Sequence, residues 1–213
     1  MTVTQNDVST FADYCVYVRS VFMHGRILFE ESSEKERDAL HGVAPIFFGD
    51  LNTILIEYVI LQICKITDPA KDNRGKENHT TEFFAKNSDF SSEPAKAQRL
   101  EQLHAAMQVF RNKVKPARDK LISHLDRNAI LAGSILGVAS ETEWSKFWQD
   151  IQDFVSMLHE KYLGTALYIN GVGNISDAHL LLKAVRQSAY FNILVDDPEV
   201  SKKCIDLALA DSP

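Results

Sequence analysis

Residues 140–158 read SETEWSKFWQDIQDFVSML, and this stretch decides the fold class. Ser140 followed three positions later by Glu143 is a capping box, which starts a helix because each side chain accepts a hydrogen bond from the other residue's free backbone N–H. The large apolar residues after it recur at helical spacing, at Trp144, Phe147, Ile151, Phe154, Val155 and Leu158. That spacing predicts an amphipathic α-helix with one buried face.

The same spacing fills most of the remaining chain. A second capping box begins at Ser33 and opens a helix that is interrupted at Gly42 and Pro45 and then resumes as far as Asp68-Pro69. The other predicted helices cover about residues 5–30, 80–84, 94–115, 116–125, 176–195 and 198–210.

No stretch shows the strict alternation of apolar and polar residues that is typical of a strand. The 9 Gly and 6 Pro among 213 residues are also too few for a turn-rich β fold. The sequence therefore predicts an all-α fold, an antiparallel helical bundle with additional C-terminal helices. We expect a single domain over residues 1–213, with 174–213 as a helical extension.

Composition places the chain among soluble globular proteins. The 45% of hydrophobic and 24% of charged residues exclude wholesale disorder. Three scattered cysteines, with no C-x-x-C motif, indicate neither a disulfide framework nor a zinc knuckle, and they fit a reducing compartment. The N-terminus lacks the layout of a signal peptide, and the longest apolar stretch, residues 54–64, is interrupted by Glu57 and Gln62. We expect a cytoplasmic protein.

Positive charge is concentrated in one segment of an otherwise acidic chain. The net charge is −6, yet residues 111–127 sum to +4 and the rest to −10. Proline is favoured at the first position of a helix, so Pro116 predicts either a new helix start or a kink in a continuous helix. A start there would expose free N–H groups to an anion such as a phosphate. A solvated basic face is the alternative interpretation of the same charge.

Arg118 and His124 lie within this segment, and their chemistry suits phosphodiester cleavage. Histidine titrates near neutral pH and can move the proton of a ribose 2′-OH, whereas arginine can bind two phosphate oxygens as negative charge develops. On an ideal helix they are about 120° and about 9 Å apart, so a long side chain or a second subunit must close the gap.

The spacing of this pair does not identify it by itself. Comparable Arg/His spacings recur elsewhere, at Arg19/His24, Arg74/His79 and Arg99/His104. Arg118 differs from these because it is followed by an acidic residue, Asp119, inside the basic segment and close to the predicted helix start.

Residues 118–126, RDKLISHLD, resemble the signature of the HEPN superfamily: an arginine, a polar residue and, after four to six positions, a histidine. The resemblance is to the AbiU-like, abortive-infection branch. The matching positions are Arg118, Asp119, Lys120, Ser123, His124 and Asp126. A second recurring segment of that group resembles Asp68-Pro69 followed by residues 74–78.

The resemblance implies a helical bundle, commonly a homodimer, whose two Arg/His motifs face each other and cut RNA without a metal or cofactor. It assigns the 2′-OH proton to His124, transition-state stabilisation to Arg118 and orientation of the pair to Asp119. We therefore expect a metal-independent endoribonuclease toxin of an abortive-infection or toxin–antitoxin system in phage defence. The expected RNA-binding residues are Lys120, Arg111, Lys113, Lys115 and Arg127.

Two other functions stay open. Several members of the superfamily keep the fold without catalysis, so the chain is alternatively a module that docks an antitoxin or another defence partner. A di-metal bundle is a third possibility, suggested by the Glu-x-x-His spacing of Glu101 and His104. Such a site needs a second Glu-x-x-His, which the sequence lacks, so no metal is expected.

Residues 67–79 are polar and contain Pro and Gly, which predicts a loop that stops one helix before Asn78 or Thr80 caps the next. Its basic residues, Lys71, Arg74 and Lys76, extend an RNA-contacting surface if the loop folds beside the Arg/His motif.

Overall fold

The computed structural model describes residues 2–122, 126, 138–171, 177–195 and 198–203. Most of these residues are helical, and the prediction of an all-α fold is confirmed. The α-helices are α1 (Gln5–Gly25), α2 (Glu34–Val43), α3 (Pro45–Ile66), α4 (Thr81–Asn87), α5 (Pro94–Ala117), α6 (Glu141–Leu163) and α7 (Asp177–Val195). Two π-helical segments, Arg26–Glu30 and Arg118–Ile122, continue α1 and α5, and residues 198–203 are also helical.

Two compact units make up the chain. Unit 1 comprises Met1–Met23 and Ile54–Asn174, and unit 2 comprises His24–Thr53 and Ile175–Pro213. The described part of the C-terminal region, with α7, therefore belongs to the same unit as α2. The candidate functional residues that the structure describes all lie in unit 1.

Helix α6 starts as its sequence predicts. The Ser140 hydroxyl accepts from the Glu143 N–H at 3.3 Å, and the Glu143 carboxylate accepts from the Ser140 N–H at 2.8 Å. The apolar stripe from Phe147 to Leu158 is buried as expected, and Trp144 is partly buried against the core. Gly164, with φ of +77°, ends the helix in the left-handed conformation that glycine adopts without strain.

Unit 1 is built around the packing of α5 on α6. The rings of Phe110 and Phe147 stack with centroids 4.7 Å apart, and Arg99 on α5 pairs with Asp153 on α6 at 3.0 Å. Phe11 of α1 adds to this core through Phe84 of α4, with ring centroids 4.7 Å apart. This apolar core fixes the course of α5, which leads directly to the candidate site.

Unit 2 is organised by α2 and α7. The capping box predicted at Ser33 is formed with Glu36, whose carboxylate also lies 3.5 Å from the Arg186 guanidinium of α7. Leu40 of α2 and Leu182 of α7 are both buried.

Pro116 does not start a new helix, so that prediction is wrong and the anion site expected from free N–H groups there is not formed. Helix α5 continues through Pro116 to Ala117, since burial of Val114 and Ala117 in the core stabilises the helical path. After Ala117 the hydrogen-bonding pattern changes, and residues Arg118–Ile122 form the π-helical segment.

Helix α3 is unusually apolar for its exposure. Among the described helices it alone has the length and composition to cross a membrane, and only 28% of its most apolar window is buried. It also contains Asp50, Glu57 and Lys65. The core helices of soluble proteins pass the same test of length and composition, so this helix by itself does not indicate a membrane protein.

The capping box of α6 gives a stability prediction. Replacing Ser140→Ala removes the hydroxyl that accepts from the Glu143 N–H and should lower the free energy of unfolding by about 1 kcal/mol. Urea denaturation followed by tryptophan fluorescence measures it, since Trp144 and Trp148 both lie on α6. The exposed Ser145→Ala of the same helix is the matched control; an equal loss in both variants would contradict the capping role.

Candidate functional site

Arg118 lies where α5 gives way to the π-helical segment, and two carboxylates hold its side chain. Its Nε donates to Asp119 Oδ1 at 2.7 Å and its Nη1 to Asp68 Oδ1 at 3.2 Å. The side chain is 20% exposed. Burial opposes its charge, but the hydrogen bond to Asp119 and the nearby Asp68 carboxylate raise the pKa of Arg118 above its ordinary value. The guanidinium is therefore charged, fixed and still partly open to solvent.

Asp68 connects the two segments of the family resemblance, the one that begins at Asp68-Pro69 and residues 118–126. It follows α3 by two residues, and its Oδ1 also accepts from Arg111 Nη2 at 2.5 Å. Arg111 and Arg118 are seven residues apart, about two turns, so they lie on one side of α5 and meet the same carboxylate. We call this group, Asp68 with Arg111 and Arg118, the arginine clamp.

Sequence reasoning gave Asp68 the role of stopping a helix and a place in the second segment of the family resemblance, but did not predict its salt bridges to Arg111 and Arg118. One signal did exist: Arg111 follows the buried Phe110 and Met107 on the apolar face of α5, where a charged residue needs an ionic partner. That signal indicates a carboxylate but does not say which of the chain's acidic residues supplies it.

Asp119 completes the surroundings of Arg118. The Lys115 ammonium, one helical turn before it, also donates to its carboxylate. This hydrogen bond from Lys115, together with that from Arg118, lowers the pKa of Asp119 although partial burial opposes the shift. Asp119 is therefore ionised at neutral pH and accepts a hydrogen bond from Arg118; its role in orienting the Arg/His pair stays a prediction.

Most of the basic side chains that the structure describes in residues 111–122 are paired with carboxylates. Lys113 donates to both oxygens of Glu143, at 2.6 and 2.7 Å, and its hydrogen bond, with those from Ser140, lowers the pKa of Glu143 to about 2. Arg111, Lys115 and Arg118 are paired as described above. Of the candidate RNA-binding residues that the structure describes, Lys113 and Lys120 are exposed, Lys115 is half-buried and Arg111 is buried. Their RNA contacts stay predictions.

His124 lies outside the described residues, as do Ser123 and Arg127. The catalytic role of His124 stays a prediction.

The loop after α3 is an ordered hairpin. Lys71 and Glu77 form an antiparallel bridge, and the Asp72 Oδ1 accepts from the backbone N–H groups of Arg74 and Lys76, each at 2.8 Å. Gly75, with φ of +78°, makes the tight turn. Thr80 then caps α4, as the sequence predicts.

His104, from the di-metal alternative, has a structural partner: its Nδ1 lies 3.0 Å from the Thr81 hydroxyl. Burial lowers the pKa of this histidine. In the part of the chain that the structure describes, no three His, Cys, Asp or Glu side chains are grouped to hold a metal ion.

Comparison with protein-family models gives a match to HEPN_AbiU2, described as AbiU2, over residues 8–171. The match spans both segments of the arginine clamp and the whole Arg/His motif. No curated protein and no solved structure matches the chain.

The arginine clamp gives a second stability prediction. Asp68→Asn should lower the free energy of unfolding by about 2 kcal/mol, because hydrogen bonds to charged groups contribute about 1.5–3 kcal/mol and Arg111 is left buried beside a neutral amide. Urea denaturation with tryptophan fluorescence measures the change. Asp13→Asn, at an exposed position of α1, is the control and should change it by less than about 0.5 kcal/mol. Equal values for the two variants would refute the structural role of Asp68.

Proposed function

The chain belongs to the HEPN_AbiU2 family, and we propose that it is a metal-independent endoribonuclease acting as a toxin in an abortive-infection or toxin–antitoxin system. The proposal places its activity in the cytoplasm, on RNA. The observation that supports it most directly is the state of Arg118: charged, fixed by Asp68 and Asp119, and one fifth exposed.

The proposed reaction is an internal transesterification. His124 takes the proton of a ribose 2′-OH as its oxygen attacks the adjacent phosphorus. The bond from phosphorus to the 5′-oxygen of the next nucleotide breaks, and that oxygen takes a proton from water and leaves as a 5′-hydroxyl, while His124 returns the proton it removed to water. The other product ends in a 2′,3′-cyclic phosphate. Arg118 stabilises the extra negative charge on the phosphate oxygens in the transition state.

The carboxylates around Arg118 suit this role. An arginine carries five N–H donors and its charge does not titrate at physiological pH. Because Asp68 and Asp119 fix the guanidinium before RNA binds, less conformational entropy is lost on forming the contact with phosphate. Asp119 thus acts as a positioning residue for Arg118.

A homodimer is part of the proposal. Apolar side chains are exposed in unit 1 on adjacent faces of α1 and α3. Ile54 is 58% exposed and lies one turn before Tyr58, whose ring is 6.4 Å from that of Tyr17, which is 54% exposed. Exposed apolar groups at neighbouring positions are typical of protein interfaces. We assign this surface to a second copy of the chain, which would supply the second Arg/His motif; an antitoxin is the other candidate for the same surface.

The ribonuclease is tested with cellular RNA in the presence of a chelator. The wild-type protein should cut RNA and leave 2′,3′-cyclic phosphates and 5′-hydroxyls. His124→Ala and Arg118→Ala should each slow cleavage at least about 100-fold, because a general base and a charge-stabilising donor each contribute about that much.

Arg99→Ala is the matched control, since Arg99 belongs to a comparable Arg/His pair and its exposed salt bridge to Asp153 contributes little to stability. The Arg99→Ala variant should cleave RNA at the wild-type rate. Intact RNA with folded wild-type protein would favour the non-catalytic docking module. Cleavage that stops only when the chelator is added would show that a metal is needed.

The dimer is tested by light scattering after size-exclusion chromatography. The wild-type chain should elute with about twice the mass of one chain, and Ile54→Asp should shift it toward the monomer, since a carboxylate would be buried without a partner in the interface. Tyr168→Asp, at an exposed apolar position after α6, should leave the mass unchanged. A monomeric wild-type protein at micromolar concentration would overturn the assignment.

A further inference from the structure

A cavity of about 540 Å³ lies beside the arginine clamp in unit 1. Its walls are Tyr14 of α1, Lys65 and Asp68 at the end of α3, and the chain from the hairpin to the start of α4, residues 76–80. The volume falls in the range of small-molecule and cofactor sites, about 300–1,000 Å³. The reaction proposed above uses none of these side chains except Asp68.

Hydrogen bonds fix several of the wall residues in place. His79 Nε2 lies 2.9 Å from Asp7 Oδ1, and the other oxygen of Asp7 accepts from the Thr4 N–H at 2.9 Å. The Tyr14 hydroxyl donates to Gln62 Oε1, and the Asn78 side-chain amide donates to the Pro69 carbonyl at 3.3 Å. Side chains held in this way lose little conformational entropy when a ligand binds.

The wall combines the three kinds of group that bind a nucleotide. Lys65 and Lys76 are exposed ammonium groups suited to a phosphate. Tyr14 and His79 provide aromatic rings, on which unpaired RNA bases stack. Asn78 and Asp68 provide an amide and a carboxylate, which can hydrogen-bond to base edges or a ribose hydroxyl.

Asp68 links this cavity to Arg118. The same carboxylate that lines the cavity accepts from the Arg118 guanidinium at 3.2 Å. A ligand that hydrogen-bonds to Asp68 is therefore only one side chain away from the group that would contact the scissile phosphate.

We propose that this cavity is the subsite for one unpaired nucleotide of the RNA, next to the phosphate that is cut. The inference rests on the proposed ribonuclease function and deepens it, since a subsite that reads a base selects where the RNA is cleaved. The base of this nucleotide stacks against His79 or Tyr14, and its phosphate contacts Lys65 and Lys76. The Asn78 side chain hydrogen-bonds to the edge of the base.

The test uses the full chain carrying His124→Ala, so that the RNA stays intact. Short single-stranded RNAs with 4-thiouridine at each position in turn are bound, cross-linked by light and mapped by mass spectrometry of the peptides. Cross-links should fall on peptides containing Tyr14 or residues 76–80. By fluorescence anisotropy at fixed salt, Asn78→Ala and His79→Ala should each weaken binding about tenfold, the effect expected of one base contact.

Three further variants separate a nucleotide contact from a structural role. His79→Phe keeps a stacking ring and loses the bond to Asp7, so it should retain more RNA affinity than His79→Ala even if both lower the thermal midpoint equally. Lys65→Ala should weaken binding and reduce its salt dependence. Lys183→Ala, at an exposed lysine of unit 2, should change neither the affinity for RNA nor its salt dependence.

The outcomes distinguish the subsite from the ribonuclease. Cross-links confined to other peptides, or unchanged affinity in both Asn78→Ala and His79→Ala, would overturn the subsite, as would RNA that fails to bind. Cross-links in the cavity with wild-type protein that cuts no RNA would uphold the subsite and refute the ribonuclease.

Discussion

The salt bridges from Asp68 to Arg111 and Arg118 are the interaction on which the candidate site depends. Arg111 is only 9% exposed, and a buried charge without a partner costs several kcal/mol, so α5 keeps its place only if a carboxylate reaches it. Asp68 meets that need and also holds Arg118, which means that one carboxylate serves both the stability of unit 1 and the orientation of the candidate catalytic group. The end of α3, the end of α5 and the wall of the cavity are thereby fixed to each other.

The ion pairs change what the basic segment can do. Residues 111–127 sum to +4 with Asp119 already counted, and Asp68 and Glu143 from outside the segment offset half of that charge in space. A surface of this kind binds a polyanion less strongly through bulk electrostatics than a bare patch does. Affinity for RNA then depends more on shape and specific contacts, which favours single-stranded RNA with its bases exposed over a duplex.

How far the sequence predicts the structure depends on how many positions separate the interacting residues along the chain. The capping boxes at Ser33 and Ser140 and the cap at Thr80 are set by residues a few positions apart, and all are predicted by the sequence; residues 67–79 were predicted only as a loop, and their hairpin was not predicted. Pro116 was not predictable, because burial of Val114 and Ala117 in the core outweighs the local preference of proline for a helix start. The partners of Arg118 include Asp68, which is 50 residues away, and no local pattern encodes that distance. The role proposed for Arg118 rests on the chemistry of the Arg/His pair and on the resemblance of residues 118–126 to a family signature.

The π-helical segment Arg118–Ile122 also bears on how such a motif varies among related chains. A π-helical turn holds about one residue more than an α-helical turn, so it is a place where an insertion or deletion is absorbed by a change of hydrogen-bonding pattern while the helices on either side keep their packing. The signature that this chain resembles allows four to six residues between its arginine and histidine. A turn that converts between the two forms gives evolution a means to lengthen or shorten that interval without rebuilding the core.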